Sequence, residues 1–82
     1  MNADEIFVLA TIAHGELKRL MEPLDANLQI ILDFDTKHPG VQVWVFANAP
    51  VYRALAHRTG IKTLEELDEL VAKVKKLASI PV

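Results

Sequence analysis

Val41 to Ala47 reads Val-Gln-Val-Trp-Val-Phe-Ala, a run without charge, proline or glycine. Its β-branched and aromatic residues favour an extended strand. Side chains alternate across a strand, so Val41, Val43, Val45 and Ala47 share one face, and Gln42, Trp44, Phe46 and Asn48 share the other. The first face is wholly apolar and demands cover. The second carries two aromatic rings among polar groups. Left bare, such a run is a hazardous edge that pairs with other strands.

The preceding segment, Leu28 to Asp35, divides in the same way. Leu28, Ile30, Leu32 and Phe34 lie on one face, and Gln29, Ile31, Asp33 and Asp35 on the other. Thr36-Lys37-His38-Pro39-Gly40 separates the two strands, and Pro39-Gly40 suits the central positions of a type II turn. An antiparallel hairpin is expected. A lone two-stranded hairpin is marginal in water, so helices or a second sheet must support it.

Helical periodicity supplies the support. Ile6, Leu9, Ala13, Leu17 and Leu20 recur at helical spacing over Ala3 to Met21. Phe7, Val8 and Ala10 widen that stripe, which predicts burial on more than one side. Asn2 and Glu5 form a capping-box pattern, and Pro23 ends the helix. Gly15 inside it implies close backbone packing or a bend. A short helix from Ala49 to Arg58 is expected next, with Asn48 as its cap, Pro50 in its first turn and Gly60 as its left-handed closing residue. Thr63 and Glu66 then open a last helix with stripe residues Leu64, Leu67, Val71, Val74 and Ala78, widened by Leu70 and Leu77. Its acidic start and basic end complement the helix dipole. The expected fold is one α+β domain over residues 1–82, a hairpin packed on three helices in the order α-β-β-α-α. A four-stranded sheet would form if two copies paired through the second strand.

Composition narrows function. Nine Lys and Arg against eleven Asp and Glu leave a net charge of −2, without the basic excess of a general polyanion binder. The chain has no cysteine, and its single serine is Ser79, so nucleophilic catalysis has little support. Three isolated glycines cannot build a phosphate-cradling loop. No apolar run approaches the roughly 20 residues of a membrane span. Asp4 and Glu5 stand where a secretory leader would be positive, so a cytoplasmic protein is expected.

Two clusters carry what chemistry there is. Asp33, Asp35 and His38 would meet at the hairpin tip, where oxygen and imidazole ligands suit a divalent cation or an Asp–His pair moves a proton. The plainer reading is a charged hairpin end with Asp35 bonding turn amides. Arg53, His57, Arg58 and Lys62, beside Tyr52, form a local basic patch for a phosphate, a nucleic-acid backbone or an acidic partner. The plainer reading is that it pairs with the acidic start of the last helix or sits solvated. Lone His14 reads as a surface residue. A pocket lined by Phe7, Trp44 and Phe46 between helix and sheet is also conceivable.

Ala54 to Leu67 (Ala-Leu-Ala-His-Arg-Thr-Gly-Ile-Lys-Thr-Leu-Glu-Glu-Leu) resembles the compact helix-turn-helix and helix-hairpin-helix units of DNA-binding proteins in its Leu-Ala before Gly-Ile and its return to leucines. The resemblance implies a groove-entering helix. That helix would begin with Glu65, Glu66, Asp68 and Glu69, which repel phosphates, so the stretch is expected to be a helical-hairpin connection. The overall expectation is a non-enzymatic protein-interaction module without cofactor. It would be homodimeric through the second strand and its aromatic face, with Ile31, Val43, Trp44, Val45 and Phe46 at the seam. Phosphate or nucleic-acid binding at the basic patch is one alternative, and a small metal-dependent enzyme using the hairpin-tip cluster is another.

Overall fold

The computed structural model describes residues 1–48 and 53–79, in the order α1 (Ala3–Met21), a 3-10 turn (Glu22–Leu24), β1 (Ala26–Asp33), β2 (Gly40–Ala47), β3 (Arg53–Ile61) and α2 (Leu64–Ser79). The three strands form one antiparallel sheet in the order β1-β2-β3. The fold is therefore α+β, with two helices and three strands in place of three helices and two.

α1 begins as its first residues dictate. The Asn2 side chain accepts from the Glu5 amide at 2.9 Å, and Glu5 Oε1 accepts from the Asn2 amide at 3.2 Å. Ile6, Leu9, Ala10, Ala13, Leu17 and Met21 face inward. Phe7 and Val8 were expected to be covered as well, yet both are 59% exposed. A helix lying on one side of a sheet buries only one stripe, and both residues fall outside it. The expected close neighbour of Gly15 is also missing, since a Cβ built there meets nothing within 4 Å. α1 ends at Met21, as expected of a helix stopped by Pro23. Pro23 occupies the 3-10 turn, and Asp25 then takes a left-handed φ of 46° to launch β1.

β1 and β2 pair without interruption from Ala26↔Ala47 to Asp33↔Gly40. The connection thus spans residues 34–39, and Gly40 is the first residue of β2, not the third position of a type II turn. Its φ of +144° brings the backbone so close to β3 that a Cβ would lie 2.7 Å from the Ile61 carbonyl oxygen. At the other end, Asn48 closes the pair. Its amide donates to the Asp25 carbonyl at 3.1 Å, and its side-chain oxygen accepts from Asn27 Nδ2 at 2.7 Å. The Asn48 side chain also donates to Asp25 Oδ1 at 3.3 Å.

The largest departure is β3. The expected short helix ending at Arg58 is a strand from Arg53 to Ile61, paired along β2. Ala54, Leu55 and Ala56 have high helix propensity, but pairing against an uncharged strand outweighs a preference worth tenths of a kcal/mol per residue. Two register shifts, between Val41 and Val43 and between Val45 and Phe46, break the strict alternation that would have marked β3 as a strand. Gly60 does take a left-handed φ of 65°, but inside β3, not behind a helix. The Ala54–Leu67 stretch is consequently a strand-to-helix connection. The expectations at Ala49, Pro50 and Tyr52 lie outside the described residues.

Thr63 caps α2 as read, its hydroxyl accepting from the Glu66 amide at 3.1 Å. Leu67, Leu70, Val71 and Val74 are buried, whereas Leu64 in the first turn is 55% exposed. The core lies between the helices and the inner sheet face. Val41, Val43, Val45, Ile61, Ile6, Leu17, Leu67 and Val74 are nearly inaccessible at its centre. Among the described residues no helix is long and apolar enough to cross a membrane.

Candidate interaction surface

Both helices cover the same face of the sheet, so the opposite face carries no helix among the described residues. On it stand Gln29 and Ile31 from β1, Gln42, Trp44 and Phe46 from β2, and His57 from β3. Ile31, Trp44 and Phe46 are half-buried, as Ile31 and both rings keep part of their surface in solvent.

Strand register places the rings. Trp44 lies opposite His57, and the two stack with centroids 3.4 Å apart and planes 15° from parallel. Phe46, two residues along β2, stacks on the indole with centroids 5.4 Å apart and planes 4° from parallel. Gln42, two residues the other way, orients the group. Its Oε1 accepts from Trp44 Nε1 and lies 3.4 Å from His57 Nε2. The result is a tethered aromatic cluster rimmed by amides. None of the strand positions on this face is lysine or arginine.

Two of the five expected interface residues are elsewhere. Val43 and Val45 are fully buried against the helices and cannot meet a partner. The expected seam along β2 is closed as well, because β2 is the central strand and β3 occupies the edge that a second copy was to fill. Phe7 likewise cannot share a pocket with Trp44 and Phe46, since it belongs to the helix layer on the other side of the sheet. Its ring instead meets Phe34 with centroids 6.0 Å apart.

The basic patch is dispersed once residues 53–61 become a strand. His57 turns to the open face and stacks on Trp44. Arg58 turns the other way, toward α2. There it donates to Glu69 Oε2 at 2.7 Å and lies 3.5 Å from Glu66 Oε2. It also donates to the Glu66 carbonyl at 3.3 Å. Arg53 opens β3 opposite Ala47, and Lys62 lines a groove beside Met1, Val8 and Leu64. Alternation across a strand separates what a helix would have gathered.

The hairpin-tip residues behave as a turn. Asp35 Oδ1 accepts from the Lys37 amide at 2.9 Å, an Asx-type contact. Asp33 ends β1 on the open face and His38 is exposed in the loop. Among the described residues no group of three His, Cys, Asp or Glu side chains could hold a metal ion. Sequence reasoning missed the Trp44–His57 stack, because the pairing of His57 with Trp44 exists only once β3 is recognised. No family model, curated protein or solved structure matches the chain.

Proposed function

We propose that the chain is a non-enzymatic protein-interaction module whose docking surface is the open sheet face. The observation that carries this reading is the Trp44 cluster. An indole held by Phe46, His57 and Gln42 keeps part of its surface in solvent on a face where a polar surface would cost nothing. Large aromatic anchors surrounded by hydrogen-bonding groups characterise the energetic centres of protein interfaces. Such anchors are partly prepaid, because a side chain already locked by neighbours loses little entropy on binding.

Charge selects the partner class. A face without lysine or arginine offers a phosphate backbone no compensation, so the fitting occupant is a protein surface with an apolar centre and an uncharged polar rim. A cytoplasmic location is part of the same proposal. The single tryptophan of the chain makes the test direct, since its emission reports on this surface alone. A partner protein recovered on the parent chain should be lost on Trp44→Lys, and adding it purified to the parent should shift the emission to the blue. Retention of partners by Trp44→Lys would refute the assignment, as would quenching by single-stranded nucleic acid.

A further inference from the structure

The two outer strands of the sheet are built differently. β3 carries Arg53, His57 and Arg58, contains Gly60 and has two register shifts, the features by which natural sheets blunt an edge. β1 carries a single charge, Asp33 at its last position, and has no glycine and no register shift. Ala26 to Leu32 is free of charge, proline and glycine, and the strand pairs with β2 over eight residues in unbroken register. Beyond β1 no further strand is present among the described residues. The edge hazard that the sequence placed on β2 has moved to β1.

The ladder shows which backbone groups are unpaired. The Asn48 amide bonds the Asp25 carbonyl, so Asp25 and Asn48 are a hydrogen-bonded pair. Antiparallel ladders alternate, so in the same register Asn27, Gln29 and Ile31 direct their amides and carbonyls to β2. Leu28, Ile30 and Leu32 direct theirs outward. Beside this edge runs an apolar groove lined by Phe7, Ala10, Thr11 and His14 of α1 and by Ile30 and Leu32. The Phe7–Phe34 pair stands at its end, with the two residues 59% and 53% exposed.

We infer that β1 is a self-association seam, pairing antiparallel with β1 of a second copy about a two-fold axis at Ile30. The strand is complementary to itself in that arrangement. Only registers that match outward-directed residues with one another make bonds, which limits the choice. Centring on Ile30 pairs Ile30 with the partner's Ile30 and Leu28 with the partner's Leu32. On the open face it sets Gln29 opposite the partner's Ile31, and the Asn27 amide opposite the partner's Asp33 carboxylate. Moving the axis to Gln29 would set Asp25 against the partner's Asp33, a like-charge contact. Moving it to Ile31 shortens the overlap. The sheet becomes six-stranded and continuous, and both α1 grooves lie on the same side of it, where the Phe7 and Phe34 rings add apolar burial to the strand bonds. This inference does not rest on what the Trp44 face binds.

The test is solution mass by light scattering over a concentration series, with far-UV circular dichroism as the check on folding. The parent should reach twice its 9.1 kDa. The double variant Gln29→Lys with Ile31→Lys sets like charges against each other across the seam, leaves the helix-covered core untouched, and should be a folded monomer. Gln29→Glu with Ile31→Lys sets opposite charges there and should restore the dimer. Ile30→Pro removes an outward amide without touching the β2 ladder and should also give monomers. A parent that stays at 9.1 kDa at its highest attainable concentration would overturn the inference. So would a dimer that survives both Gln29→Lys with Ile31→Lys and Ile30→Pro but dissolves in Trp44→Lys, because the seam would then be the open face.

Discussion

Two glycines of this chain should respond to the same substitution with opposite sign. Gly15 lies inside α1 with ordinary helical geometry, exposed, and a Cβ there meets nothing within 4 Å. Replacing it with alanine removes unfolded-state freedom and improves helix propensity, a gain of about 1 kcal/mol. For a domain of this size that raises the melting temperature by roughly 4–8 °C. Gly40 is the reverse. Its φ is +144°, and a Cβ would lie 2.7 Å from the Ile61 carbonyl oxygen and 3.2 Å from the Gly60 carbonyl carbon. Both obstacles are backbone held by the β2–β3 ladder and cannot swing aside as a side chain could. The conformation alone costs about 1–3 kcal/mol in a residue with a side chain, and the overlap adds a similar amount. Gly40→Ala should therefore destabilise by about 3 kcal/mol and lower the melting temperature by roughly 15 °C. Urea unfolding and thermal melts of the two variants beside the parent would measure both effects. A Gly15→Ala variant that melts lower than the parent would refute the reasoning for α1, showing that the solution species packs something against Gly15. A Gly40→Ala variant as stable as the parent would refute the close approach of β2 to the end of β3.

Other expectations follow from the same contacts. Arg58→Ala removes bonds to Glu66 and Glu69 and should cost about 1 kcal/mol in urea unfolding at low salt, and less at high salt, because ion pairs that keep contact with solvent are screened. Thr63→Ala deletes the α2 cap that binds the Glu66 amide and should cost about 1 kcal/mol in the same assay, independent of salt. Divalent cations should leave the melting temperature unchanged, since Asp35 is engaged with the Lys37 amide and no three-ligand group exists among the described residues. A rise of several degrees with added cation would reopen the hairpin tip as a metal site.

How much of this fold was legible in the sequence differs from element to element. α1 and α2 could be read because their signals are local. Asn2 with Glu5 and Thr63 with Glu66 are caps set by residues three apart, and each inward stripe recurs within its own helix. The β1–β2 hairpin was equally accessible, because neighbouring alternating runs joined by a short loop leave little choice of partner. The two faces of β2 were assigned correctly as well, down to the pairing of Trp44 with Phe46 on one side.

Everything that depended on β3 was hidden. Ala-Leu-Ala-His-Arg has the composition of a helix, and its strand state comes from pairing with the uncharged β2 beside it, a stabilisation that no local propensity records, while two register shifts erase the alternation that would have announced a strand. That one reassignment made β2 central, sent His57 to Trp44 and Arg58 to α2, and broke up a basic patch that helical spacing had assembled. The sequence by itself determined that an apolar strand with two aromatics must be covered and that two capped helices would do part of the covering. Only the tertiary structure decided which strand completes the sheet and which edge stays open. Those outcomes depend on competition between alternative states and pairings of the same segments, and side-chain periodicity reports the faces of an element without naming its neighbours.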